Sequence, residues 1–515
     1  MAEISPQIQE KRKEENVAAT LEAYGGIEEK PTRSEILVWY LYELCSYFVH
    51  TVLIPIVFPL IISQTVPNPP EPGQGWFKSY KGLKCKQSEM QLYEGLVHRA
   101  IKLGHTNFSP LQWTSLSWLT GLILSAPILG LVSTLLDHGH HQHLIPASAT
   151  AIGALFCLPA GFLRKPYIFP PYIAAIVAAN TVAAATHARH LGLMIRAFTG
   201  PAIPKRRFPN RRSFGSWLSL YSTAAGCLGA AIMASFTDRM YSHSDHFTAL
   251  WVVSIFSGLI WGFGMIHIFS TNRATFTSID SGRKSFDVTH VVSIFGYPDA
   301  LGSLAGVFLS SFMTMCVFGA GLLYAIGYVC VKSENVLFLF LVYFMVPLVF
   351  LPAAHPLQQV LRLDAEKMQL FGFMLSTFVS GFGFYYHGSV WHKSYLLLFA
   401  AVQGTATGLL HAFGRVLWLD CSPAGKEGVF SVWFSWARAL GSCAGFAVAT
   451  GVPGNVGRAF GVSFCAGIVG MVVLIFGNIS SLRGARAAGH VIKSEKASPV
   501  HGDDHLSKGS VMSYA

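Results

Sequence analysis

The sequence predicts an all-α membrane protein with twelve spans in two sets of six, and three observations carry that prediction. Twelve apolar stretches, most of them about 20 residues or longer, run from Ile36 to Ser480 with short loops between them that hold most of the charge; a hydrocarbon core ~30 Å thick is crossed by roughly 20 helical residues. Hydrophobic residues make up 52% of the chain and charged ones only 12%, about half the charged share of a soluble domain. A polar, basic segment at 271–298 divides the stretches evenly. In lipid only a helix or a closed barrel satisfies its own backbone hydrogen bonds, and barrel strands are shorter and alternate polar with apolar. The spans are therefore read as helices.

In order, the predicted spans are 36–63, 111–136, 144–163, 167–198, 214–236, 248–270, 299–330, 335–357, 367–388, 392–418, 428–452 and 457–480. Residues 1–35 form a polar, charged tail without an apolar core, so they are not a cleavable signal peptide and the first span acts as the insertion signal. The first six helices occupy 36–270, the central loop 271–298 and the second six 299–480, followed by a polar tail, 481–515, expected to be disordered. An even number of spans puts both tails on one side. With the amino terminus inside, inner segments carry 22 Lys and Arg against 12 outside, and the positive-inside rule then makes both termini cytoplasmic. The long loop 64–110 falls on the opposite, luminal or external face; it holds the turn-rich run Pro67 to Pro72 and an amphipathic stretch from Ser88 to Leu103. Its Asn107-Phe108-Ser109 matches a glycosylation acceptor, but Pro110 and the nearby membrane argue against occupancy.

Composition also excludes function classes. The net charge of +11 reflects loops held on the inner face rather than nucleic-acid binding. The nine cysteines are scattered without zinc-like spacing, and Cys45, Cys157, Cys227, Cys316, Cys443 and Cys465 lie in apolar spans as small packing residues. There is no phosphate-binding glycine loop, no HExxH helix and no nucleophile elbow. The chain is not read as an enzyme; no cofactor or resident metal is expected, and any pumping draws on a gradient.

Ionisable groups within spans cost about 3 kcal/mol on insertion scales and normally face the bundle interior. Glu43, in WYLYELCSYFVH, shares one helix face with Ser46, Tyr47 and His50, and with Tyr42 beside it this face is a candidate proton or substrate pathway. In the tenth span, GTATGLLHAFGRVLWLD, His411 and Arg415 are four residues apart among Gly404, Gly408 and Gly414; Arg415 either binds an anionic group, closes an inner gate or snorkels to the headgroups. Arg438 lies mid-span beside Trp433 and Trp436, with a cavity or a salt bridge to Glu43 as its alternatives. After the second span, Asp137 precedes His138, His140, His141 and His143. The carboxylate is placed to pair with a helix terminus or a basic partner, and the histidines read as a weak metal site, a pH-responsive cluster or a solvated loop. His187, Arg189, His190 and Arg196 are expected to anchor the fourth span at the inner surface, and His267 to sit at the interface.

Six helices, a polar central loop and six more helices is the layout of the major facilitator transporters, whose halves rock around a central site. Two patches sharpen this. The first span resembles the opening of the autophagy-related vacuolar effluxer family of that superfamily, W-x-L-Y-D-W-A-N-S and an apolar run to Phe-Pro: Trp39, Leu41, Tyr42 and Phe58-Pro59 fit, Glu43 stands where the pattern has aspartate, and Leu44, Cys45 and Ser46 depart from it. The second patch is similar to the family's glycine-rich tenth helix, arginine and P-x-G-x-E-x-x-F loop, through Gly404, Gly408, Arg415, Pro423, Gly425, Lys426, Glu427 and Phe430. Asp137 resembles the superfamily's loop carboxylate, with Gln142 and His143 in place of its basic followers. The resemblance implies a fold of two six-helix halves and export of amino acids from a vacuole or lysosome-like lumen to the cytosol. It also implies gating loops at Asp137 and at Pro423, Gly425, Lys426 and Glu427.

The expectation is thus a monomeric secondary active transporter in the vacuolar membrane, working by alternating access with proton symport as its coupling. Its partners are a small solute and the bilayer. The alternatives are a transporter-like receptor or scaffold and a carrier of a different small solute. A shared wet cavity for Glu43 and Arg415 separates transport from scaffold.

Overall fold

The computed structural model describes residues 29–138, 142–242, 245–267, 288–477 and 479–492. Twelve long helices account for the spans: α1 (Arg33–Ser63), α2 (Pro110–His138), α3 (Leu144–Cys157), α4 (Phe169–Thr199), α5 (Phe208–Tyr241), α6 (His246–Phe263), α7 (Pro298–Leu323), α8 (Ser333–Leu361), α9 (Ala365–Tyr386), α10 (Lys393–Asp420), α11 (Glu427–Gly451) and α12 (Val456–Phe476). Their starts follow local chemistry. Pro110 and Pro298 open α2 and α7 and Pro209 lies in the first turn of α5, where a missing N–H costs nothing. Thr32, Asp245 and Asn455 cap α1, α6 and α12 by accepting from a backbone N–H three residues on.

Ten of the twelve pass a combined test of length and hydropathy for crossing a membrane; α9 and α11 do not. Their polar residues are turned inward: Gln369, Ser376 and Ser380 on α9 and Ser431, Ser435 and Ser442 on α11 are buried. Outward faces carry large apolar side chains instead, such as Ile123, Leu131, Phe350 and Phe476, as a lipid-facing surface requires.

Contacts within α1–α6 and within α7–α12 build two halves, which meet through α2 with α11, α5 with α8, α4 with α11 and α5 with α10. Adding six to each helix number exchanges these pairs, as pseudo-twofold repeats demand. The symmetry extends to detail. α5 approaches α1 so closely that a Cβ on Gly229 would meet the carbonyl of Leu44, and α11 approaches α7 in the same way at Gly445 and Phe312. α1 widens over Val49–Val57, where Pro55 removes a backbone donor, and α7 widens at its end over Tyr324–Tyr328.

One end of the bundle, here the basic end, carries Thr32, the α4–α5 loop with Lys205, Arg206 and Arg207, and the carboxyl-terminal segment. The opposite, capped end carries residues 64–109. These are more structured than a turn-rich loop: a helix at Gln87–Val97 and a hairpin of β1 (Ile101–Leu103) with β2 (Thr106–Phe108). A Cys85–Cys330 disulfide ties this segment to the end of α7. Nothing in the cysteine spacing signals a bond 245 residues apart.

The tail expected to be disordered over 481–515 is ordered over its first part. Ser481–Ala487 is helical against α10, and β4 (Val491–Ile492) pairs in parallel with β3 (Ile203–Pro204). Val491, Ala485, Ile203 and Phe208 bury one another there, an apolar contact that the polar average of the tail hides. The calls on 1–28, on most of the central loop and on His140 and His141 lie outside the described residues, as does the His138 side chain.

Candidate functional site

Midway between the halves, α1, α4, α10 and α11 bring ionisable side chains together in the interior. Glu43, 4% exposed, faces three cation-forming groups: His187 Nε2 at 2.7 Å, His411 Nε2 at 3.4 Å and Arg415 Nη1 at 3.5 Å. Arg415 also donates from Nε to Ser219 Oγ (3.1 Å) and from Nη2 to Thr223 Oγ1 (3.2 Å) on α5, and its guanidinium carbon lies 5.6 Å from the Trp39 ring. Trp39 in turn stacks on His187 with ring centroids 4.5 Å apart. A guanidinium held by a carboxylate, two hydroxyls and an aromatic face is fully satisfied. Arg415 is an internal pair for Glu43 and does not snorkel.

Arg438 is different. Its partners are His50, through Nη2, and His411 Nε2 at 3.5 Å from Nη1. The salt bridge to Glu43 entertained from sequence is not formed; no carboxylate lies within 4.0 Å of Arg438 among the described residues. With neutral imidazoles the cluster therefore sums to one positive charge, and a partly desolvated guanidinium without a counter-charge attracts an anion.

His411 stands between the two arginine systems. Its single Nε2 either carries a proton and donates to Glu43 or is bare and accepts from Arg438, never both at once. One proton thus decides whether the carboxylate or the guanidinium is engaged.

A cleft of about 530 Å³ opens beside this cluster, lined by His50, His411 and Arg438, by the hydroxyls of Thr51, Ser310, Thr314, Thr407 and Ser442, and by Tyr47 and Tyr343. Glu43 and Arg415 are absent from its wall, so they do not share the wet cavity posed as the test; His411 and Arg438 carry the cluster's charge to it. Phe318 separates this polar chamber from an apolar space of about 950 Å³ toward the capped end, walled by Ile56, Leu322, Phe340 and Phe446 and roofed by Leu92, Tyr93 and Leu96 of the loop helix. Tyr42 is buried with its hydroxyl 3.1 Å from Thr150 Oγ1 on α3. Ser46 is buried nearby but outside the cluster's side-chain hydrogen bonds.

At the basic end the halves are shut by charge pairs that obey the same pseudo-symmetry. Arg196, ending α4, donates to Glu427, starting α11, at 2.8 Å; Arg211, starting α5, donates to Asp420, ending α10, at 3.2 Å. Asp137, ending α2, accepts from the Gly428 and Val429 N–H groups at the start of α11 (2.5 and 3.0 Å) and meets His290 Nε2 at 3.0 Å. Its counterpart Asp364, between α8 and α9, pairs with Arg212 on α5. A carboxylate on exposed N–H groups at a helix start is favourable twice over, through the hydrogen bonds and through the helix dipole. The loop before α11 turns at Gly425, whose φ of +75° needs glycine, after a Lys426 N–H to Pro423 carbonyl bond; Lys426 Nζ sits 5.7 Å from the Tyr297 ring.

The residues assigned to surface anchoring are buried instead. His187, Arg189, His190, Arg196 and His267 are each 7% exposed or less, because α4 and the end of α6 face the bundle interior there. Ser219, Thr223 and Glu35 were not singled out; His187 and His190, three residues apart on one helix face, were the available signal.

No family model matches the chain, and no curated protein matches it. Among solved structures, the human organic anion transporter MFSD10 (TETRAN) is similar with a TM-score of 0.52 and 13% identity, over 86% of this chain and all of that one. At that identity the likeness is one of fold, and with the apolar helices and paired halves it makes the chain a multi-pass membrane protein with the major facilitator fold.

Proposed function

We propose that the protein is a proton-coupled secondary transporter for a small carboxylate-bearing solute with an apolar body, moved from a vacuole or lysosome-like lumen to the cytosol by alternating access. The observation that carries this reading is Arg438, which lines the polar chamber with histidine partners and no carboxylate. A solute carboxylate takes the bidentate fork, the ring of hydroxyls takes its remaining polar atoms, and the apolar space beyond Phe318 admits its body. His411 supplies the coupling: a proton arriving on Nε2 moves it from Arg438 to Glu43 and frees the guanidinium for the anion. The solved neighbour's description as an organic anion transporter supports the same solute charge. The tenth-helix resemblance favours a second reading, neutral or branched amino acids. That reading asks for an ammonium acceptor, and Glu43 already faces three cation-forming partners.

The basic end, with its Lys and Arg excess, is assigned to the cytosol and the capped end to the lumen; the Cys85–Cys330 disulfide supports an oxidising compartment on that side. The fold's cytosolic gate is then the one closed here, by the pairs at Asp137, Glu427, Asp420 and Asp364. Uptake into proteoliposomes of labelled leucine and α-ketoisocaproate, which share skeleton and carboxylate and differ in the ammonium group, tests the reading under an imposed pH gradient. Gradient-driven flux of the keto acid that Glu43→Gln abolishes is expected. Leucine alone moving would select the amino-acid reading, and no flux of either would overturn transport of this class in favour of a scaffold.

A further inference from the structure

A row of imidazoles leads from Glu43 away from the solute chamber. His187 Nε2 contacts Glu43 at 2.7 Å; the His187 and His267 ring centroids are 5.8 Å apart, those of His267 and His190 5.4 Å, and His190 Nε2 contacts Glu35 at 3.0 Å. Glu35 lies two residues into α1, two helical turns and roughly 12 Å from Glu43 toward the basic end. All five side chains are buried, and none lines the chamber or the apolar space beside it.

Five buried ionisable groups in one wall are expensive unless they are used. A gating role does not explain them. The charge pairs that close the basic end each join one half to the other, whereas this row belongs entirely to α1, α4 and the end of α6, all in the first half. It therefore stays connected as the halves rock. The row meets the other half at Glu43, which His411 and Arg415, both on α10, contact at 3.4 and 3.5 Å; of these two, His411 is the group that can pass a proton. Among the groups facing the row from its surroundings are Tyr42, whose ring is 5.0 Å from His187 and 5.3 Å from His267, and Arg415 and His411 beyond Glu43.

We propose that Glu43, His187, His267, His190 and Glu35 form the proton's exit route to the basic end, separate from the route of the solute. A proton enters from the chamber through His411, rests on Glu43 and leaves along imidazoles whose ring gaps a single water bridges, each ring taking a proton on one nitrogen and releasing one from the other. The crossing contact at His411 is the switch: rocking breaks it and prevents a continuous leak. This inference rests on the proton-coupled reading above.

The test separates net transport from exchange in proteoliposomes, with labelled α-ketoisocaproate and leucine as probes. Counterflow at equal pH on both sides needs no net proton release; accumulation driven by a pH gradient does. His267→Gln and His190→Gln are expected to lower gradient-driven accumulation by about 100-fold, the lower end of what a positioned proton-transfer group supplies, while counterflow stays near wild type and shows the variants are folded. Glu35→Gln, at the row's outer end and furthest from the solute, gives the same split should a histidine variant fail to insert. Net flux and counterflow falling together, or neither falling, overturns the route while leaving coupling intact. A wild type indifferent to the gradient removes the coupling itself, and the route with it.

Discussion

At the basic end the two halves are joined by Arg211–Asp420, Arg196–Glu427, Arg212–Asp364 and Asp137 on the start of α11, all of them hydrogen-bonded charges. At the capped end the joint is covalent, Cys85 to Cys330, with loop contacts laid over it: the Tyr93 hydroxyl to the Pro453 carbonyl, Lys81 Nζ to the Gly388 carbonyl and the Tyr80 ring on Tyr328. Beneath the second joint lie the apolar space and the polar chamber. Ion pairs re-form with water when they part and so suit a seal that opens and closes in the proposed transport cycle. A disulfide does not part, so the 64–110 segment rides with α7 and limits how far the capped end can spread.

The largest expected effect is on the ionic seal. Arg211→Ala leaves the Asp420 carboxylate buried, at a cost of about 3–5 kcal/mol for a broken buried pair, and opens the basic end. Cys421, next in sequence and 2% exposed, reports it: maleimide labelling mapped to this thiol should rise sharply, and Arg211→Ala with Asp420→Asn should bring it back toward wild type. An unchanged labelling rate would show that the seal lies elsewhere.

Next in size is the covalent joint. Cys85→Ser should lower the melting temperature by an amount equivalent to about 2–4 kcal/mol and leave Cys421 labelling unchanged, since that end is closed by other groups. Equal effects of the two variants on Cys421 would erase the distinction between the ends.

Asp137→Asn keeps the side chain's shape but removes the charge on the α11 N–H groups, a loss of about 1–3 kcal/mol. Labelling at Cys421 should increase less than for Arg211→Ala. The smallest effect is at the carboxyl-terminal clasp. Burial holds the His490 ring well below its ordinary pKa, and its Nε2 donates to the Ser422 carbonyl at 2.7 Å. A depressed histidine makes the clasp fully stable above the unfolded-state value of about 6.5 and progressively less so as pH falls below it. Proteolysis at Arg486 should therefore accelerate on acidification, and a rate flat with pH would contradict the assignment.

Much of the fold was legible because each span announces itself by length and apolarity, and even the polar exceptions, α9 and α11, kept enough apolar residues to be counted. At the site, periodicity placed Glu43, Tyr47 and His50 on one face, and their depth marked His411, Arg415 and Arg438. Which of them pair was not legible. Glu43 and His187 are 144 positions apart and meet only because α1 and α4 pack in the same half, so the histidine read as an anchor, and for Arg438 a cavity and a salt bridge to Glu43 stayed open as alternatives. The disulfide and the Ile203–Val491 pairing were hidden for the same reason: contacts at long separation come from packing, and no local pattern encodes them.

The central claim is that Arg438 is the solute's anchor, and binding tests it without requiring a complete transport cycle. Scintillation-proximity binding of tritiated α-ketoisocaproate should weaken by at least about tenfold in Arg438→Gln, the loss of one charge-assisted hydrogen-bonded contact. Arg415→Gln, a change in the internal pair, serves as the comparison and should not match that loss at equal protein stability. Undiminished binding by Arg438→Gln would contradict the account.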